Sequence, residues 1–346
     1  MAKMRRINLA LQGGGAHGAF TWGVLDRFLQ EPGLEIAGIS GTSAGALNGA
    51  ALKSGLVAGG AEAARENLAW LWAQVGAVND PRLLQWMAPQ QAGLERFNSL
   101  LGPFAPQAVA EAIGRVFSPY DYGVFYANPL QDIAERFRYD DVCHSAGPAL
   151  HIAATNVRSG KIRVFSNADI SAKVILASAC LPTLFQAIEI PDAKTGRLEA
   201  YWDGGYTGNP ALFPLFDPKL PNDIVIVNIN PLERDSLPRT AQDIQNRINE
   251  ISFNSSLLRE LRAIQFVKTL IADGHIDPGK MKDVFVHMVA DDALMNRLTA
   301  ATKAYAGPTL LAELKAAGQD AAEGFLSAHS DDLNKRGSVD LRAMFS

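Results

Sequence analysis

Along the N-terminal part of the chain, short apolar stretches alternate with apolar residues at helical spacing. Ile7 to Leu11 reads as a buried strand, broken at once by Gln12 and three glycines. Phe20, Val24, Leu25, Phe28 and Leu29 then recur with the period of a helix until Pro32 and Gly33 end it, and Ile36 to Ser40 is the next strand. A strand, a helix and a strand joined this tightly form a βαβ unit with parallel strands and a right-handed crossover. The carboxyl ends of such strands are where open α/β sheets bind ligands.

Further along, Ala44 to Leu52 is rich in Ala and Gly, which lets a helix lie close on the sheet, and Leu68, Leu71, Trp72 and Val75 mark another amphipathic helix. From 79 to 127 the pattern changes. Pro81, Pro89, Pro103, Pro106 and Pro119 punctuate short apolar pieces bearing Trp86, Phe97, Phe104 and Phe117, which predicts an inserted helical cap. Leu150 to Thr155 and Lys161 to Phe165 flank a turn and read as a hairpin. Leu198 to Trp202 leads into Asp203, and Asp223 to Ile229 is a nearly continuous buried strand. Gln242 to Ile271 predicts a long helix whose apolar face is Ile244, Ile248, Ile251, Leu258 and Leu261. A strand at Val284 to Val289 and helices from Pro308 to about Ala328 follow. The fold class is therefore α/β, a mainly parallel central sheet with helices on both faces, a helical cap insertion and a helical C-terminal extension.

Composition narrows the function classes. The 346 residues are 48% hydrophobic, enough to bury a large core. The 32 basic and 36 acidic residues are well mixed at a net charge of −4, which gives no electrostatic footprint for nucleic acid and little attraction to anionic lipid. Any contact with a membrane surface must rest on apolar groups and be transient. Cys143 and Cys180 have no metal-site spacing and suit a reducing compartment. Neither a signal-peptide core nor a run of eighteen apolar residues occurs, so the expected location is cytoplasmic. No metal or cofactor is expected.

Two glycine-bracketed segments carry the chemistry. Gly41-Thr42-Ser43-Ala44-Gly45 has the form of a nucleophile elbow, a sharp strand-to-helix turn that only small flanking residues permit, and Ser43 is the candidate nucleophile. A serine hydroxyl needs a base and an electrophilic pocket for the oxyanion it creates. Gly13, Gly14 and Gly15, with Gly18 closing the loop, can turn their N–H groups toward one point at a helix mouth one βαβ unit upstream of Ser43. None of the six histidines sits in a recognisable base motif. Asp203 ends a strand and is followed by Gly204 and Gly205, which suits a carboxylate aimed into a site.

With these residues in view, the chain resembles the patatin-like phospholipases. The loop Gly13-Gly14-Gly15-Ala16-His17-Gly18, the elbow around Ser43, the segment Ala177-Ser178-Ala179-Cys180-Leu181-Pro182 with Phe185 following, and the Asp203-Gly204-Gly205 turn occur in the family's order. The resemblance covers roughly 7 to 217 and implies a catalytic domain there; 218 to 346, which the motifs do not cover, is expected to complete the sheet and add helices in the same unit. It implies a lipid acyl hydrolase with a Ser-Asp dyad and no histidine, so Ser43 is the nucleophile, Asp203 the base, and a lipid or other acyl ester the substrate. His17 departs from the family pattern, which most often has Arg or Lys in this loop.

Other functions fit parts of the pattern. Gly13, Gly15 and Gly18 also satisfy a dinucleotide-binding fingerprint, but the second strand lacks the acid that reading needs at its end, Glu35 lying at the wrong end. A conventional triad would use His275 or His287 as base. A non-catalytic lipid-binding or scaffold protein would keep the fold without the reaction. Headgroup, acyl position, chain length and oligomeric state are not written in the residues.

Overall fold

The computed structural model describes residues 4–78, 118–234, 237–277, 279–298, 302–303 and 306–345. The proposed cap lies mostly outside the described residues; of that segment, a capped 3₁₀ turn at Pro119–Phe125 is seen.

Eight strands form one sheet. The N-terminal unit is as patterned: β1 (Arg5–Leu11), α1 (Gly18–Phe28) and β2 (Leu34–Gly41), with β1 and β2 parallel and Leu11 beside Gly41. Then comes α2 (Ala44–Ala77), which holds both helices read separately from the sequence. Its regular geometry is broken at Gly59 and Gly60, the second at φ 75°, a conformation other residues resist. Short helices α3 (Gln131–Glu135) and α4 (Tyr139–Val142) precede the hairpin of β3 (Ala149–Asn156) and β4 (Ile162–Ser166). Helix α5 (Ala172–Ser178) is followed by β5 (Ile188–Asp192) and β6 (Arg197–Asp203). Beyond residue 217 come β7 (Asp223–Asn228), α6 (Ala241–Ala272), β8 (Phe285–Ala290), α7 (Asp292–Arg297), α8 (Pro308–His329) and α9 (Leu341–Met344).

The sheet order is β5-β6-β3-β2-β1-β7-β8, with β4 on β3. The five strands β3, β2, β1, β7 and β8 are mutually parallel, and β4, β6 and β5 pair antiparallel. Strand β7 is buried along its whole length, as its unbroken apolar run requires. Two apolar clusters flank the sheet. The larger gathers α1, α2, α5 and α8, and the smaller packs Leu257, Leu261 and Ile264 of α6 on Ile224, Ile226 and Val286.

Two expectations are corrected. Helix α6 has the predicted length but presents a different face. Ile244, Ile248 and Ile251 are exposed, whereas Leu257 and Leu261 are buried together with the polar Glu250, Asn254 and Ser256. The physical reason is that the first half of this helix packs its polar side chains against the buried polar ends of the central strands, so burial there follows hydrogen bonding rather than hydrophobicity. Strand β5 was not read from the sequence at all. It is an edge strand, half exposed and holding Pro191, a combination that masks the strand signal.

Candidate active site

Because β1 and β2 are adjacent and parallel, their carboxyl ends deliver the glycine loop and the elbow to the same place. Ser43 sits between β2 and α2 with φ 55° and ψ −121°, a backbone state that side chains other than glycine rarely hold and that marks strain kept for function. The elbow demands its second glycine on packing grounds. A Cβ on Gly45 would collide with the Leu11 carbonyl oxygen at the end of β1. The two motifs touch: a Cβ on Gly13 would lie 2.6 Å from the Ser43 Cβ and 2.8 Å from the Thr42 carbonyl oxygen.

A small polar relay fixes the nucleophile. The Ser43 N–H donates to Ser178 Oγ at 2.9 Å, and Ser178 Oγ–H donates to the Ala153 carbonyl at 2.7 Å. The segment from Ala177 to Pro182 thus reaches the elbow directly through Ser178. Thr42 is held by a 2.6 Å bond from its hydroxyl to the Gly208 carbonyl.

Strand β6 pairs with β3 so that Asp203 stands opposite Ala154, two strands over from β2. Asp203 is buried. Its Oδ1 accepts the Gly205 N–H at 2.7 Å, while Oδ2 has no hydrogen-bond partner among the described residues. Burial pushes this carboxyl up to about 7, against the opposing influence of the Gly205 N–H and the Ser43 hydroxyl. Ser43 is thus close enough to act on Asp203 without meeting strict hydrogen-bond geometry. The neighbouring Cys180 thiol and Tyr206 hydroxyl are each raised to about 12 by burial first and the Asp203 carboxylate second, so both stay protonated around it. Cys143 and Cys180 are free thiols.

The three loop glycines are not equivalent. The Gly13 N–H, expected to face the oxyanion, instead donates to Asn209 Oδ1 at 2.7 Å, because that buried amide occupies the space beside it. Among the described residues the Gly14 and Gly15 N–H groups donate to no protein acceptor. Sequence reasoning also missed the amides beneath the loop. Gln12 Oε1 accepts from the Ile229 and Asn230 N–H groups at 2.8 and 3.0 Å, and Asn230 Nδ2 donates to the Gly13 carbonyl at 2.8 Å. Their only sequence signal was the presence of Gln and Asn at the ends of otherwise apolar strands.

The histidines lie elsewhere or are occupied. His287 is fully buried, with Nε2 on Asp223 Oδ1 at 3.0 Å and Nδ1 on Ser338 Oγ at 3.1 Å. His275 is exposed just past the end of α6, about 30 Å along that helix from the Asn254 that meets the loop. His17 is buried in the loop. Burial, then Lys303, then Arg234 lower its pKa well below the ordinary histidine value, so it is neutral, and its Nε2 is 2.7 Å from Thr302 Oγ1.

The family model for patatin-like phospholipases matches residues 9–216, from the first glycine-loop strand through Asp203. The chain belongs to the patatin-like phospholipase family. The matched segment contains the glycine loop, the elbow at Ser43 and the Asp203 turn. Among solved structures the chain is similar to VipD from Legionella pneumophila, at 14% identity and a TM-score of 0.39, over 93% of this chain and 67% of that one. It is also similar to the type III effector ExoU, at 17% identity and a TM-score of 0.34, over 94% of this chain and 54% of that one. In the ExoU–SpcU complex of Pseudomonas aeruginosa the figures are 16%, 0.30, 95% and 61%. The patatin-like chain thus spans between about half and two thirds of these proteins. No curated protein sequence matches it. No described helix is long and apolar enough to cross a membrane.

Proposed function

We propose that this patatin-like chain is a serine hydrolase of carboxylic esters of lipids, of phospholipase A, lysophospholipase or esterase type, working through Ser43 and Asp203. The observation that carries the reading is the strained Ser43 beside a buried Asp203 whose carboxyl is raised to about 7. A carboxylate with a free Oδ2 and that proton affinity is a competent base near neutral pH, whereas an exposed aspartate is too weak. Its bond to Ser43, loose without substrate, tightens when the reacting carbon is in place.

Asp203 Oδ2 takes the Ser43 proton as Oγ attacks the ester carbonyl. The carbonyl electron pair moves onto oxygen, where the Gly14 and Gly15 N–H groups receive it. Collapse of the tetrahedral species breaks the ester C–O bond, Asp203 returns the proton to the departing alcohol, and an acyl-Ser43 remains. Water then attacks that acyl group, giving its proton to Asp203, and collapse releases the fatty acid and restores the Ser43 hydroxyl.

The test is labelling of the pure protein with a fluorophosphonate, with the modified residue located by mass spectrometry, and product analysis against a mixed lipid extract. Wild type is expected to label at Ser43 and to release free fatty acid. Ser43→Ala and Asp203→Asn are each expected to lose about 10³-fold or more in kcat. Full hydrolysis by Ser43→Ala would reject the proposal, and wild type that folds but neither labels nor hydrolyses would establish the scaffold reading instead.

A further inference from the structure

Lys303 lies outside the segment matched by the family model, yet its contacts converge on the glycine loop. Its Nζ donates to Asn230 Oδ1 at 2.7 Å. The Nδ2 of the same amide donates to the Gly13 carbonyl at 2.8 Å and to Gln12 Oε1 at 3.1 Å. Its main chain packs on the loop as well: a Cβ on Gly15, which holds φ 59°, would strike the Lys303 carbonyl oxygen. Next to it, Thr302 meets the His17 ring.

The consequence follows from which atoms share a peptide. The Gly13 carbonyl and the Gly14 N–H belong to one planar, conjugated unit. A donor that draws charge onto the Gly13 oxygen makes the Gly14 N–H more positive, and chains of hydrogen bonds polarise one another in this way in a low-dielectric interior. Here the chain runs from an ammonium through the Asn230 amide to the Gly13–Gly14 peptide. Its far end is the Gly14 N–H, one of the two loop N–H groups that have no acceptor among the described residues.

We infer that Lys303 is a positioning residue for ester hydrolysis, orienting Asn230 and polarising the Gly13–Gly14 peptide so that the Gly14 N–H is aimed and strengthened toward the oxyanion. The inference rests on the hydrolase reading above. The ammonium reaches this place at a cost, since burial first and Arg234 second lower its pKa to about 8, while Glu250 opposes them. The charged groups that act on it are Glu250 on α6 and Arg234 after β7, which grips Glu250 at 2.6 and 2.8 Å; Glu250 also accepts from Arg247, and His17 from the loop is neutral. Below pH 8 the chain ends in a cation, and above it the lysine is neutral and the polarisation is lost.

The experiment measures kcat, KM and the fluorophosphonate labelling rate of Ser43 from pH 6 to 10, for wild type, Lys303→Met and Asn230→Ala. Methionine keeps the approximate shape of the lysine stem and removes the ammonium, its charge and its hydrogen bond to Asn230 together. Lys303→Met is expected to lose about tenfold in kcat and in labelling rate at pH 7 with KM unchanged. The wild-type fall in kcat near pH 8 should be absent from this variant. Asn230→Ala is expected to show the same loss and the same missing limb, and to make a second change at Lys303 silent. A folded Lys303→Met protein with wild-type kcat, labelling rate and alkaline limb would overturn the inference. If Lys303→Met fails to fold, an Asn230→Ala protein that retains the limb would overturn it equally. Wild type unlabelled at Ser43 would instead bring down the hydrolase reading, a result distinguishable from either.

Discussion

At the residue scale the chemistry depends on how few polar atoms around Ser43 are left unpaired. Ser178 takes the Ser43 N–H, Asn209 takes the Gly13 N–H and Gly205 caps one oxygen of Asp203. Among the described residues, Asp203 Oδ2 and the Gly14 and Gly15 N–H groups are left without a protein partner, as is His17 Nδ1 in the same loop, and the first three are the kinds of group the proposed acyl transfer uses. The raised pKa of Asp203 also makes a statement about stability. In the unfolded chain this carboxyl titrates in the ordinary range near 4, whereas folded it holds its proton up to about 7. Its contribution is therefore fully present below that range and is lost as the pH rises through 7. Two outcomes are expected. The kcat of wild type should rise with pH through about 7 as Asp203 ionises. In thermal unfolding, the melting temperature of Asp203→Asn relative to wild type should be higher at pH 8 than at pH 5, because asparagine carries no charge to bury. A pH-independent difference would place the origin of the raised pKa elsewhere.

At the scale of elements, α6 shows how a helical period can be read correctly and its inward face wrongly. Hydrophobicity alone selected Ile244, Ile248 and Ile251, but the helix turns Asn254 and Ser256 toward Gln12 and Asn209 and leaves those isoleucines in solvent. Tertiary hydrogen bonds decided the rotation. It follows that Ile248→Gln should change the free energy of unfolding in urea by no more than about 0.5 kcal/mol. Leu261→Ala on the same helix should cost about 2–5 kcal/mol, since it empties a fully buried position under the sheet. Equal effects would contradict the observed face. By contrast β1, α1, β2 and the elbow were legible because local signals agreed: an apolar run, then glycines, then a helical period ended by Pro32 and Gly33. The hairpin of β3 and β4 was legible for the same reason.

At the scale of the whole molecule, the region after residue 217 contributes more than an extension. It inserts β7 beside β1 and β8 at the edge, supplies α6 beneath the site, and brings Lys303 to the glycine loop. It also ties its own tail to the sheet. Asp223 at the start of β7 accepts from the Asn334 N–H and Nδ2, both at 2.8 Å, and pairs with His287, whose other nitrogen meets Ser338. This serine, histidine and aspartate chain has the partners of a triad, yet it sits at the opposite end of β7 from the loop, so its work is mechanical. His287→Ala should lower the unfolding free energy by on the order of 2 kcal/mol, through the hydrogen bond lost from Asp223 Oδ1 and the space left by the buried ring. The kcat per folded molecule should not change. A loss of orders of magnitude in kcat with the fold intact would restore the histidine as a base for Ser43.

By itself the sequence determined the parallel βαβ core, the elbow, the glycine loop and the family, because each is written in residues close together in the chain whose steric needs are local. Only the tertiary structure decided which loop N–H groups stay free, that Ser178, Asn209 and Asn230 hold the nucleophile and the loop, that Asp203 is raised to about 7, and that Lys303 reaches the same place. Those properties depend on desolvation and on hydrogen bonds between residues 73 to 217 positions apart. Neither is encoded in any local pattern of side chains.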